Sequence, residues 1–183
     1  MPRPHRLRAA GAIYHVTARG NRRQDIFREA EDYLRFLSLL DDLAERRGWR
    51  GYGYCLLSNH YHLVFETPKP DLSEGMRWLN GRFAQAFNHR HGQDGHLFQG
   101  RFHAVLVESD WHLLELSRYL ALNPVKAGLC RHPGHWRWGS YAAVSGREAP
   151  RMFITPCRIL ELFGQTPRAA RARFEKFVND PQT

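Results

Sequence analysis

Between Ala12 and Glu108 the apolar residues switch between a two-residue and a three-to-four-residue period, and the order of those switches limits the possible folds more than any other feature. Ala12 to Ala18, AIYHVTA, partly alternates apolar with polar and runs into RGNRR, which predicts a strand and a turn. From about Glu29 to Arg47, Tyr33, Phe36, Leu37, Leu40 and Leu43 recur at helical steps, with Gly48 placed to cap the end. Trp49 to Leu57 and Tyr61 to Thr67 are short aromatic and β-branched runs joined through Ser58 and Asn59, the pattern of a hairpin. After Pro68 and Pro70, Leu72 to His89 is helical in period, with Met76, Leu79, Phe83 and Phe87 as a core stripe. Phe102 to Glu108 reads as a last strand and Asp110 to Leu122 as a helix that Pro124 is expected to stop.

The first six elements follow the order β-α-β-β-α-β, so the expected class is α+β: a ferredoxin-like core, an antiparallel sheet with two helices on one face. The helix at Asp110 and a helical C-terminal extension are added to it, the latter predicted at Thr155 to Phe163 and Pro167 to Asn179. The expected division is a main domain over 1–148 and a basic helical extension over 149–183, which either packs down or orders on a polyanion.

The net charge of +9 comes with 27 basic residues, of which only Lys69, Lys126 and Lys176 are lysines, so planar guanidinium groups that grip phosphate through two donors dominate. The excess sits at the ends. Residues 1–28 hold seven arginines against one acid, whereas 29–146 balance at thirteen each. A polyanion partner fits this distribution. No apolar run approaches the roughly 18 residues of a membrane span, and MPRPHRLRAAG lacks the apolar centre of a signal peptide, so a cytoplasmic protein is expected. Cys55, Cys130 and Cys157 are too far apart for a metal-thiolate motif and odd in number, which predicts reduced thiols.

Asn59 to Phe65, NHYHLVF, puts His60 and His62 two positions apart on a predicted strand, where both rings point to one face and can reach one ion. The pair alone also suits the wet side of a sheet. No HExxH, CxxC, P-loop or dinucleotide fingerprint accompanies it. Further on, RYLALNPVKAGL separates Tyr119 from Asn123 by one helical turn. A carboxamide oxygen can ligate a hard cation and a phenol can attack phosphorus. Equally, Tyr119 suits a core aromatic and Asn123 a helix end.

Five strings in order, YHVTARGNRRQDIF, NHYHLVF, GHLFQGRFHAVLV, RYLALNPVKAGL and WRWGSY, resemble the REP-associated tyrosine transposases of the single-strand HUH superfamily, over about Arg8 to Tyr141. The resemblance implies a ferredoxin-like single-strand DNA nuclease. His60 and His62 match its histidine-hydrophobic-histidine pair, Tyr119 its nucleophile and Asn123 its third metal ligand. It implies a divalent cofactor, Mg²⁺ or Mn²⁺, and cleavage that leaves a free 3′ hydroxyl and a 5′-phosphotyrosine. The implied partner is single-stranded or hairpin DNA of the repetitive extragenic palindrome kind, in a nucleoid-associated setting without membrane, as monomer or homodimer. A hairpin-binding regulator without chemistry and a water-using metallonuclease are the alternatives.

Around that centre, Arg19, Asn21, Arg22 and Arg23 form a basic turn suited to phosphate, and Arg3, Arg6 and Arg8 an arm suited to a groove or single strand. Arg101 is a candidate phosphate contact. His103 on the last strand is either an accessory group at the site or an edge histidine. Arg118 is expected to be solvated, Trp136 and Trp138 to anchor a loop, and His89, His91 and His96 to face solvent or phosphate.

Overall fold

The computed structural model describes residues 10–180. Four strands, β1 (Ala12–Arg19), β2 (Arg50–Leu57), β3 (His60–Thr67) and β4 (His103–Leu106), pair antiparallel in the order β2-β3-β1-β4, the predicted ferredoxin-like topology. Alternation along β1 sends Tyr14, Val16 and Ala18 to one face, where α1 (Ala30–Arg47) and α2 (Leu72–His91) cover them. Phe36, Leu40, Met76, Phe83 and Phe87 fill that layer against Tyr61, Leu63 and Phe65. The opposite face carries α3 (Asp110–Lys126), whose Leu113, Leu116 and Leu120 share a second buried cluster with Cys55, Leu57 and Val64. A sheet covered on both faces explains why β2 and β3 read as nearly unbroken apolar runs.

The helix ends follow local chemistry. A reciprocal Glu29–Asp32 capping box starts α1, and Gly48 ends it in the left-handed region at φ 68°, its N–H donating to the Ala44 carbonyl. Ser109 Oγ accepts from the His112 N–H to start α3. Pro124 does not stop α3, contrary to the sequence expectation. The ring removes one donor, but the N–H groups of Ala127, Gly128 and Leu129 reach back to Asn123, Val125 and Pro124, closing the last turn beyond it. Consequently Asn123 lies inside the helix rather than at its end. β4 is shorter than predicted, a four-residue edge strand that among the described residues pairs with β1 alone.

The extension packs down, the first of the two readings offered for it. α4 (Tyr141–Ser145) and α5 (Cys157–Leu160), the latter shorter than expected, receive α6 (Pro167–Asn179) through Ala170, Phe174 and Val178. Arg118 is correspondingly buried rather than solvated: its guanidinium donates to the Asp180 carbonyl and lies over the Phe177 ring. The tryptophans are anchors as expected, Trp138 stacked on Tyr33 at 4.3 Å and Trp136 donating to the Leu56 carbonyl at 3.1 Å. His91 is a structural partner, 3.0 Å from the buried Asp32 carboxylate, which corrects its reading as a solvent or phosphate group. All three cysteines are free thiols. Among the described residues no helix is long and apolar enough to cross a membrane.

Two glycines of α2 test this packing. A Cβ on Gly75 would stand 2.4 Å from ring carbons of Trp49, which Asp71 holds through a 3.0 Å bond to Nε1, whereas a Cβ on Gly81 meets nothing within 4 Å. Gly75→Ala should destabilise by about 1–3 kcal/mol through overpacking. Gly81→Ala should stabilise by up to about 1 kcal/mol through helix propensity. Urea denaturation of both variants is the check, and equal shifts would refute the account.

Candidate active site

Residues directly opposite in an antiparallel pair share a face. Here the register sets Arg19 against His60, Thr17 against both His62 and His103, and His15 against Val64 and Val105. Three strands therefore gather His15, Thr17, Arg19, His60, His62 and His103 on the face that carries α3. Tyr61, between the two imidazoles, turns into the opposite core, where its hydroxyl donates to Asn80 Oδ1 at 2.7 Å. Beyond the reach of α3 the face opens into a cavity of about 320 Å³ lined by His60, His62, Thr17, Arg19, Arg101 and His103, with Gln99 and Gly100 at its rim.

Tyr119 arrives from the other side. Gly53 lets α3 lie close on β2, since a Cβ there would meet Leu120 at 3.2 Å and Ser140 Oγ at 3.4 Å. With Leu120 turned into the core, Tyr119 stands at the edge, 40 % exposed, its ring 5.2 Å from the His62 ring and nearly perpendicular to it. The predicted nucleophile and one predicted imidazole are thus neighbours. His60 stands 5.1 Å from His62, ring to ring. Asn123 is half-buried one turn further along α3, about 6 Å of axial rise from Tyr119.

Two residues of this site were missed in the sequence. His15 Nε2 lies 3.0 Å from His62 Nδ1, with the rings stacked at 5.2 Å. Asn59 Oδ1 lies 2.7 Å from His60 Nδ1, while its Nδ2 donates to the Arg23 carbonyl at 3.1 Å. The alternation of AIYHVTA held a signal for His15, because it places that ring on the same face as Thr17. Burial is the main force on the imidazoles. It pushes His62 down to about 3, helped by His15, His60 and Arg19, and His15 down to about 4, helped by His112 and His103. His60 is lowered by burial and then by Arg19. All three are therefore neutral near pH 7, the form in which a ring nitrogen can ligate a cation.

The donor set fits a divalent ion on one observation in particular: His62 Nε2 is buried and has no hydrogen-bond partner among the described residues. Among the described residues no group of three or more His, Cys, Asp or Glu side chains could hold a metal, so two imidazoles need oxygen donors of another kind.

The basic turn after β1 is strained. Arg22 and Arg23 sit at φ 52° and 62°, a region costly for side-chain-bearing residues. Four bonds hold it: Gly20 N–H to the Asn59 carbonyl, Asn21 N–H to that of Leu97, Gln99 N–H to that of Arg19, and the Asn59 side chain to that of Arg23. Gly20 is needed, because a Cβ would lie 2.1 Å from the Gln24 carbonyl oxygen. Both arginines are exposed, as are Arg19 and Arg101, which line the cavity. Arg3, Arg6 and Arg8 lie outside the described residues.

Residues 9–123 match the family described as Transposase IS200 like. None of the curated proteins matches the chain. Among solved structures, a REP-associated tyrosine transposase bound to a REP hairpin is similar at 19% identity and a TM-score of 0.68, covering 84% of this chain and 90% of that one. A putative transposase from Deinococcus radiodurans R1 is similar at 16% identity and a TM-score of 0.46, covering 65% of this chain and 95% of that one.

The two buried rings set a pH dependence. Below 6.5 the unfolded chain protonates His15 and His62, while the folded chain resists until about 4 and about 3. The unfolded state then binds more protons, so stability rises with pH from about 4 to about 6.5 and levels off above. Replacing both by glutamine should flatten that rise in metal-free denaturation curves. A slope unchanged by the double replacement would assign it to other groups.

Proposed function

The chain belongs to the IS200-like transposase family, and we propose that it is a tyrosine-dependent single-strand DNA endonuclease and strand transferase acting beside imperfect-palindrome hairpins. The observation that carries this reading is the Tyr119 ring standing 5.2 Å from the ring of His62, which itself lines a basic cavity. The Tyr119 oxygen attacks the scissile phosphorus as its proton is lost, the bond from phosphorus to the 3′ oxygen breaks, and that oxygen takes up a proton to leave as a free 3′ hydroxyl. The strand's 5′ phosphate stays on Tyr119 as an ester. Attack by another 3′ hydroxyl reverses the step and joins strands without an external energy source. The attack depends on position and on stabilisation of the charge that develops on the phosphoryl oxygens.

His60, His62 and Asn123 would hold the cofactor, and imidazole donors favour Mn²⁺ over Mg²⁺. When bound, such an ion supplies Lewis-acid polarisation of a phosphate oxygen. Arg19 and Arg101 line the cavity where the strand would run, and Arg22, Arg23 and Asn21 offer a preformed grip on phosphate or a base edge. His103 lines the same cavity and would act there as an accessory group. Residues 1–148 would form the nuclease domain and 149–183 its helical extension. A hairpin of the repetitive extragenic palindrome kind is the substrate class, by analogy with the DNA in the similar solved structure. Such a substrate would place the protein at the nucleoid.

Labelled hairpin DNA incubated with the protein and Mn²⁺, then denatured, should yield a protein-linked product that Tyr119→Phe abolishes while hairpin affinity stays within a few-fold. Cleavage without an adduct would assign a water-using nuclease, and binding without cleavage a hairpin-binding regulator. Arg22→Gly should raise stability by about 1 kcal/mol by releasing strain. It should also weaken hairpin binding and lower the salt dependence by roughly one phosphate contact. Titrations at several salt concentrations check both.

A further inference from the structure

We propose that His15 and Asn59 are positioning residues that fix the tautomer and aim of His62 and His60, leaving both Nε2 atoms as free lone pairs for one divalent cation. The inference rests on the metal-assisted reading above and extends it to two residues that touch neither ion nor DNA.

Asn59 Nδ2 donates to the Arg23 carbonyl at 3.1 Å, so the atom facing His60 Nδ1 at 2.7 Å is the carboxamide oxygen, which only accepts. His60 must therefore carry its proton on Nδ1 and its lone pair on Nε2. His62 makes the matching contact, from Nδ1 to His15 Nε2 at 3.0 Å. Two neutral rings bonded in this way need one donor and one acceptor, which leaves two arrangements. If His15 donated, His62 would bear its proton on Nε2, a buried atom with no partner among the described residues. A buried N–H with no acceptor is among the rarest states in folded proteins. If His62 donates, the same atom becomes a lone pair that a cation could satisfy. Both ligand rings are then held by Nδ1, one by a carboxamide and one by a third imidazole. The stack of His15 on His62, 18° from parallel, also limits rotation of the ligand ring. Partners of this kind raise ligand basicity and hold ring orientation.

The test uses the full-length protein, Mn²⁺ as probe and two readouts other than activity. In metal-free protein, long-range ¹H–¹⁵N spectra should show His62 and His60 protonated at Nδ1 and unprotonated at Nε2, and His15→Ala should convert His62 to a tautomer mixture. Mn²⁺ titration followed by electron paramagnetic resonance should show binding lost in His62→Ala and weakened about 10–100-fold in His15→Ala and Asn59→Ala. His15→Gln, which restores an acceptor, should recover part of the affinity, and it stands in if the alanine variant does not fold. A His62 protonated at Nε2 in the wild type overturns the inference, as does wild-type Mn²⁺ affinity in His15→Ala beside lost affinity in His62→Ala. If His60→Ala and His62→Ala both keep Mn²⁺, the metal-site reading fails instead, and the tautomer spectra alone decide the role of His15.

Discussion

Leu113, Leu116 and Leu120 of α3 bury in one cluster with Cys55, Leu57 and Val64 of the sheet, and this apolar strip holds a phenol from one part of the chain beside imidazoles from another. Each such leucine contributes about 1.5–3 kcal/mol by burial, so the strip can fix the helix without help from the polar groups at its margin. Gly53 sets the distance. A Cβ there would meet the Leu120 side chain at 3.2 Å, so that leucine would have to give way at the turn that carries Tyr119.

The sheet divides two tasks between its faces. One is closed by aromatic packing, with Phe36 set against both Tyr61 and Phe83. The other is apolar only where α3 covers it and polar where it opens. Alternation within His60-Tyr61-His62 serves both, since the middle ring anchors the strand and fixes where its neighbours point. The strained turn at Arg22 and Arg23 depends on the same hairpin, because Asn59 supplies both a backbone and a side-chain contact to it.

The order of elements was legible in the sequence because each changes hydrophobic period, and six elements in a given order leave few topologies. The histidine pair was legible for the same reason. What escaped has physical causes. The run of α3 past Pro124 depends on carbonyls finding donors beyond the proline, which no local pattern records. Burial of Arg118 depends on where α6 lands, and the bond of His91 to Asp32 on how two helices meet. His15 was visible as a polar residue in a strand, but its partner is set by register, and register between distant strands cannot be read along a single line of text. The left-handed arginines carry no signature at all, since their conformation is imposed by bonds from Asn59, Leu97 and Gln99.

That separation of faces has an evolutionary side. Because the aromatic layer under α1 and α2 owes nothing to the imidazoles or the phenol, a lineage could exchange any of them and keep a folded chain with its arginine turn intact. On the proposed function, loss of chemistry would be one codon away while the scaffold survived, so descendants that merely occupy DNA would follow readily from active ancestors. Return would be equally short for as long as the ring partners stayed in place.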